Sequence, residues 1–433
     1  MLASRKLDLL EMMFASSPCW IQLSIELEDE RYVPQFVESL QKSLPGLRMK
    51  MNADEIIIHN KEQPILQIPK EIKKLNEVSN WHCINHTPSI HEVLASIAVR
   101  DNIISINHNH VCSDGTYLKN IVEKIVDQIG KNLRSNNEAD LKNLLPQSGF
   151  AAFKQSVDNQ MNSIYYFYNE DPFISRIMPH RPIQPSHQTG IYELFESKIS
   201  DLAIVKNSKD GKVKGMTESL WASIILSIEA FNQYNNKTSM GHGASTVVSL
   251  RPYLSGKFAE FNEKFPWHVG YQCSAIRTST DGPLNMNDKI SDITGKMRSQ
   301  LMSKIQQGEQ FKFMAATRRL QSGMFYPQQP GLGIELSNVG PVRIKRPIKD
   351  FYMGSLGPAD AAGGCCLFTY STICEDHSHD KIRTQLLYSD RDMNPIDAKL
   401  VAGAIDFALR EIGPENSVGD SIEILKQYIK ENE

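Results

Sequence analysis

Residues 106–117 read INHNHVCSDGTY and place two histidines, a cysteine, a serine and an aspartate within one short segment. Of the chain's 12 histidines, His110 alone has an aspartate four residues on with a glycine directly after it, giving His110, Asp114 and Gly115. At this chain's acidic and glycine content, an HxxxDG arrangement arises by chance about 0.04 times per chain of this length. A histidine held at a strand end in a partly desolvated cleft, with an ordinary pKa near about 6.5, suits general-base work. Gly115 adds room, because it lacks a Cβ where chain or ligand must pass closely. Asp114 need not touch that histidine, and as a plain helix N-cap it would occupy the same place. Cys112 and Ser113 are small turn residues first, since a nucleophile there would need its own base and oxyanion arrangement, and no GxSxG occurs. His108 lies two residues from His110, on the same strand face, which raises a metal pair. No third ligand stands at a recognisable spacing, so no metal is expected.

The flanking text says what must hold these groups. VLASIAV (93–99) and IISINHNH (103–110) are rich in β-branched residues and are separated by a polar turn at Arg100, Asp101 and Asn102, which predicts a β-hairpin. After Gly115 the apolar positions Leu118, Ile121, Val122, Ile125, Val126 and Ile129 follow helical spacing. The reactive residues therefore sit in a strand-to-helix turn. Polar, helix-poor text follows at 135–149, and the proline-rich MPHRPIQPSHQTG (178–190) marks a boundary between residues 1–185 and 186–433. Beyond it, TESLWASIILSIEAF (217–231) carries an apolar helical stripe, and TVVSLRPY (246–253) reads as a strand ended by Pro252. LFTYSTI (367–373) and KIRTQLLYS (381–389) are strand-like, with EDHSHD (375–380) a solvated hairpin loop between them. A helix opens at Asn394 and Pro395. Interleaved helix and strand signals indicate an α/β protein.

Composition narrows the class. With 433 residues, 41% hydrophobic and 22% charged residues and a formal net charge of -3, the chain fits an ordinary globular protein of two domains, with no basic excess to suit nucleic acid. Seven scattered cysteines without CxxC spacing suggest neither a disulfide framework nor a zinc ribbon, and no unbroken apolar run reaches the length of a membrane span. A cytoplasmic location and a monomer are the expectations. GLGIEL (331–336) breaks the GxGxxG pattern and no GxxxxGK[ST] is present, which argues against dehydrogenase and kinase chemistry.

The HxxxDG turn resembles the motif of the chloramphenicol-acetyltransferase-like acyltransferases, a superfamily that includes alcohol acetyltransferases, plant BAHD acyltransferases, polyketide-associated acyltransferases and peptide-synthetase condensation domains. The likeness continues through SLRPYL (249–254) with HVGY (268–271), and through SNVG (337–340), which is similar to the SNLG-type segment of alcohol acetyltransferases. KDFYMGSLGP (349–358) is similar to the DFGWG segment of BAHD enzymes, but Tyr352 and Met353 replace its central glycine and tryptophan, which argues against a BAHD member. Asn109 stands where the fuller HHxxxDG form has its first histidine.

The resemblance implies two similar α/β subdomains of mixed sheet and flanking helices, with His110 at their interface in a tunnel open at both ends. It implies that His110 deprotonates a small-molecule hydroxyl that attacks the thioester of an acyl-CoA co-substrate, acetyl in the first instance, without a covalent acyl-enzyme. It further implies that Asp114 turns away from the substrate into a salt bridge with an arginine, for which Arg251 is the candidate. Ser337 and Asn338 are either plain turn residues or candidates to hold the oxyanion and the substrate tunnel. An amine acceptor or a carrier-protein donor is the alternative within this chemistry. A non-catalytic binding or scaffold protein of the same fold is the alternative outside it.

Overall fold

The computed structural model describes residues 3–16, 19–59, 61, 63–129, 149–183, 191–208, 213–256, 259, 270–280, 282–321, 323–324, 326–356 and 364–433. In chain order its strands are β1 (Ala3–Lys6), β2 (Trp20–Leu27), β3 (Met49–Asn52), β4 (Glu55–Ile58), β5 (Ile65–Gln67), β6 (Ala95–Arg100), β7 (Ile103–Asn109), β8 (Arg176–Ile177), β9 (Ile191–Lys198), β10 (Gly243–Ser249), β11 (Cys273–Ser279), β12 (Leu332–Arg343), β13 (Ile348–Leu356), β14 (Cys365–Ile373) and β15 (Lys381–Tyr388). The predicted hairpin is β6 and β7, paired antiparallel, with Asp101 at positive φ in its turn. It forms the middle of a five-stranded sheet of order β13-β2-β7-β6-β5. A seven-stranded sheet runs β11-β10-β12-β14-β15-β9 with β8 attached to β12, and β1, β4 and β3 make a small third sheet.

The expected α/β architecture is present, and one strand ties its halves together. β13 comes from the second half of the chain but pairs antiparallel with β2, completing the first sheet. Its KDFYMGS text explains its anchorage: Asp350 accepts from Arg383 Nη2 at 2.7 Å and from Lys381 Nζ at 2.8 Å, both on β15 of the other sheet, and Tyr352 Oη donates to Gln385 at 3.0 Å. The expected division point at residues 185 and 186 lies outside the described residues, as do most of 135–149 and part of 178–190.

Each large sheet buries one face in an apolar core. Alternate β2 residues Ile21, Leu23, Ile25 and Leu27 pack with Phe36 and Leu40 of helix 33–43, with Leu118 and Ile121 of helix 115–124, and with Phe368 and Tyr370 of β14. In the second sheet Ile334, Leu336, Leu367 and Leu386 face helices 216–234, 395–411 and 418–432. Three local expectations change. The helix read as one apolar stripe over 217–231 is buried all round from Ser219 to Asn232, because the sheet and three helices surround it. The strand expected to reach Tyr253 stops at Ser249 and passes into a short 3-10 turn at Arg251–Tyr253, where Pro252 fixes φ and offers no N–H to a ladder. Similarly, the helix after Gly115 ends at Lys124, and Val126–Gln128 form a 3-10 turn.

The other face of the first sheet is polar yet closed. Helix 75–86 covers it, and His82 donates or accepts at both ring nitrogens, with Ser105 Oγ at 3.0 Å and Ser96 Oγ at 2.9 Å, while Ser24 Oγ reaches Ser79 Oγ at 2.7 Å. Burial lowers the His82 imidazole to about 3 and the fully enclosed His108 to about 4. Between those values and the ordinary 6.5 the unfolded chain takes up protons that the folded chain refuses. Stability is therefore complete above about pH 6.5 and declines as pH falls, by about 2 kcal/mol per histidine at about pH 5. Urea unfolding from about pH 7.5 to 4.5 checks this, and His82→Gln should flatten the decline; a wild-type midpoint that does not move across that range refutes it.

Candidate active site at the interface of the two sheets

β7 ends at Asn109, whose side-chain Oδ1 accepts from Val111 N–H at 3.0 Å and starts a single 3-10 turn over His110–Cys112. The turn rotates successive side chains away from strand geometry, and this overturns the expectation that His108 and His110 share a face. His108 points into the first subdomain, where its Nδ1 meets Cys112 Sγ at 3.2 Å and its ring lies 5.1 Å from Tyr117. His110 emerges half-buried between Phe14, stacked at 4.8 Å, and Tyr271, edge-on at 5.0 Å.

The tautomer of His110 follows from its partner. Nδ1 lies 2.6 Å from the Ser113 carbonyl, which can only accept, so Nδ1 carries the proton and Nε2 keeps its lone pair. Burial pulls this imidazole below its ordinary value, opposed by the Ser113 hydrogen bond and the Asp114 charge. The ring is thus neutral near pH 7, with a basic Nε2. Cys112 is not aimed at it: the thiol lies against His108 and the Asn109 carbonyl, and burial pushes it far above the usual thiol range. A thiolate nucleophile has no support there.

Asp114 caps helix 115–124 and does more. Its Oδ1 accepts from Tyr117 N–H at 2.9 Å, and its Oδ2 accepts from Arg251 Nη1 at 2.6 Å and from Gln272 N–H at 2.9 Å. Arg251 Nη2 donates in turn to the Gly270 carbonyl at 2.8 Å. Both charged side chains are enclosed, at 3% and 6% exposure. The Asp114–Arg251 pair expected from sequence is therefore present, and it joins the HxxxDG turn to the second half of the chain.

Gly115 has a steric reason. A Cβ there would stand 2.7 Å from Val339 Cγ2, so the turn and the SNVG segment approach closer than any other residue allows. Asn338 is occupied locally, its Oδ1 accepting from Gly340 N–H at 2.9 Å across a β-bulge, with Gly340 at positive φ. Among the described residues no hydrogen bond joins Ser337 or Asn338 to His110; the segment reaches the site through Val339. EDHSHD is an exposed turn, with His377 Nδ1 2.8 Å from Asp380. His268 and Val269 lie outside the described residues.

Sequence reasoning missed Phe14, Tyr271 and Gln272. Phe14 belongs to helix 9–16, whose text carries no motif, and Gln272 acts through its backbone. Tyr271 was within a quoted segment, but only the fold puts its ring beside His110.

This architecture is that of the chloramphenicol-acetyltransferase-like and condensation-domain fold. No family model and no curated sequence relative matches the chain. Solved structures do match over almost its full length: a variant of the starter condensation domain of rhizomide synthetase in complex with C8-CoA (11% identity, 96% of this chain and 97% of that one, TM-score 0.63) and trichothecene 15-O-acetyltransferase from Fusarium sporotrichioides (12%, 94% and 96%, TM-score 0.62). The X-domain from teicoplanin biosynthesis shares the fold as well (9%, 95% of each chain, TM-score 0.57). Among the described residues no helix is long and apolar enough to cross a membrane.

Removing one member of the buried pair strands the other. Asp114→Asn and Arg251→Gln should each cost about 3–5 kcal/mol, and the double variant should cost less than their sum by more than about 1 kcal/mol. Strict additivity in denaturant unfolding would refute the pairing. Gly115→Ala should destabilise by about 1–3 kcal/mol, relieved when combined with Val339→Ala, which removes the opposing methyl.

Proposed function

We propose that this protein is an acyltransferase that moves an acyl group, acetyl in the first instance, from coenzyme A to the hydroxyl of a small molecule. The observation that carries the reading is His110: a neutral imidazole with Nδ1 committed to the Ser113 carbonyl and Nε2 free to take a proton, half-buried between the two sheets. Nε2 removes the proton of the acceptor hydroxyl as its oxygen attacks the thioester carbonyl carbon. The carbonyl electron pair moves onto oxygen, giving a tetrahedral oxyanion. Collapse breaks the carbon–sulfur bond, and the departing thiolate takes the proton from the imidazolium, so the products are the ester and free coenzyme A. In this reading Asp114, Gly115 and Arg251 hold the turn rather than touch substrate, and Ser337 and Asn338 remain candidate oxyanion or substrate contacts on a segment whose Val339 closes on the turn.

The starter condensation domain that shares this fold was solved with C8-CoA, which supports a CoA thioester as donor here; a carrier-protein thioester is the alternative donor and an amine the alternative acceptor. A binding protein of the same fold is the reading from another class, and release of free thiol from acetyl-CoA in the presence of alcohols or amines separates the two.

His110→Ala should keep its melting temperature within a few degrees and lose at least about a hundredfold in kcat. Full activity in that variant refutes the general-base role. Transfer should pass through a complex of both substrates: incubation with acetyl-CoA alone leaves the intact mass unchanged, and an acetyl adduct abolished in Cys112→Ser, with parallel double-reciprocal plots, would replace this mechanism by an acyl-enzyme.

A further inference from the structure

Residues 3–16 reach the HxxxDG turn as a strand followed by a helix. β1 pairs with β4 at the edge of the small third sheet, and Leu7 N–H donates to the Asp54 carbonyl at 2.7 Å. Leu7 then shares one small core with Val111 and Cys112 of the turn. Helix 9–16 follows and packs against both the 110–112 turn and helix 312–321 of the second half. Near its end, Phe14 stacks on His110 at 4.8 Å and lies 5.0 Å from Tyr271, which is itself 5.0 Å from His110. Three nearly equal separations set the rings at the corners of a triangle. Phe14 and Tyr271 therefore lie on one side of the imidazole and leave the other side to whatever enters the site.

An imidazole held by one hydrogen bond is not held in plane. The torsion that swings the ring about its Cβ–Cγ bond has a broad minimum, and the 2.6 Å contact of Nδ1 with the Ser113 carbonyl acts on it as a hinge. Phe14 supplies the second constraint, its ring lying against the imidazole at an interplanar angle of 30°. Yet helix 9–16 has only 8 residues, too few to persist without outside support, so Phe14 stays in place only while its helix is anchored. The anchor is built from three side chains. Asp8 and Glu11 cap the helix reciprocally, Glu11 N–H donating to Asp8 Oδ1 at 2.9 Å and Asp8 N–H to Glu11 Oε2 at 2.8 Å. Glu11 also accepts both arms of the Arg5 guanidinium, at 2.6 and 2.7 Å, with the two side chains 7% and 17% exposed. A bidentate, enclosed pair of this kind is strong and directional, and it ties the helix to β1 one turn before Phe14.

We propose that residues 3–16 are a strap that positions His110: the Arg5–Glu11 pair locks helix 9–16 to its strand, and the locked helix holds Phe14 against the imidazole face. Phe14, Glu11 and Arg5 are positioning residues that act through His110. The strap stands on geometry alone, whereas its effect on turnover rests on the acyl-transfer reading above.

The test follows the His110 ring in the full chain by NMR of carbon-13-labelled histidine, its signal identified by its loss in His110→Ala. Burial holds this imidazole below the ordinary 6.5. The titratable groups around it are Asp114, which favours its protonation, the enclosed and neutral His108, Tyr271, whose buried phenol stays neutral, and Glu11 with Arg5 on the strap. Phe14→Ala uncovers the ring face, so the titration midpoint should rise toward 6.5, while Phe14→Tyr keeps the wild-type midpoint. Glu11→Gln separates the two ways a distant residue could act: loss of a carboxylate through its charge alone lowers the midpoint, whereas a loosened strap raises it as Phe14→Ala does. A midpoint that does not rise in Phe14→Ala, or that is unmoved or lowered in Glu11→Gln, overturns the proposal. Should Glu11→Gln fail to fold, Phe14→Ala decides alone. In the acyl-transfer reading Phe14→Ala also lowers kcat by about tenfold or more with the KM for acetyl-CoA changed by less than about twofold, and an unchanged kcat in an active chain overturns the positioning role. Acetyl transfer is scored separately, so a chain whose midpoints move as stated but that releases no thiol from acetyl-CoA refutes the acyltransferase reading and leaves the strap standing.

Discussion

The buried ion pair between Asp114 and Arg251 is the constraint on which the interface turns. Taking both charges out of water costs several kcal/mol, and the pair survives that cost only because its hydrogen bonds are well supplied. Asp114 accepts from Tyr117 N–H, Gln272 N–H and Arg251, while Arg251 also holds the Gly270 carbonyl. Three of those partners belong to the second half of the chain and one to the helix that follows the HxxxDG turn. A single carboxylate therefore fixes the helix start, the turn and the approach of the second sheet together. Nothing in this arrangement requires Asp114 to face substrate: its side chain is buried and both of its oxygens already accept hydrogen bonds from the protein.

Electrostatics sets the register of the two halves, but sterics sets their distance. Gly115 lets Val339 close on the turn, and Gly270 brings its backbone against Cys112, where a Cβ would sit 3.4 Å from main-chain atoms. β13 adds a third tie by leaving the second half to finish the first sheet, pinned at Asp350 by two basic residues of β15. With the separation held in these three ways, the gap between the sheets is closed around the turn, while partial exposure persists at His110 and Tyr271. A separation held in this way would suit the proposed bimolecular transfer, in which most of the gain comes from holding the reactants rather than from the proton transfer itself.

Much of this was legible in the chain, and the reasons differ by element. The hairpin β6–β7 and the helix after Gly115 were readable because period-2 and period-3.6 patterns abut at a turn, and HxxxDG marked the turn itself. The reach of helix 216–234 was readable but its surroundings were not: its serines and Glu229 are polar in the text yet buried against neighbours that only the tertiary fold supplies. The partnership of Arg251 with Asp114, 137 positions apart, came from likeness to a known motif, since no local pattern encodes a contact of that separation. Phe14 and Glu11 were invisible for the same reason. Each looks like an ordinary residue of a short helix, and only the fold sets the one against His110 and the other against Arg5.

The two histidines of the NHNH run show how little sequence distance protects a side chain from a different fate. His108, still within β7, is sealed against Cys112 and Tyr117, and desolvation acts on it with only a weak opposing backbone interaction, so it is lowered to about 4. His110 begins the 3-10 turn and gains the Ser113 carbonyl at Nδ1 and the Asp114 charge nearby, both of which favour its protonated form. Those two interactions matter to the proposed role, because a base lowered too far would stay neutral at every useful pH but would bind a proton too weakly to take one from an acceptor. Desolvation keeps the ring uncharged, while the carbonyl and carboxylate restore part of the affinity for a proton at Nε2. The same Asp114 that latches the sheets thus also raises the proton affinity of an imidazole it does not touch, and Asn109, by capping the turn with its side chain, is the residue that separates the sealed histidine from the proposed base.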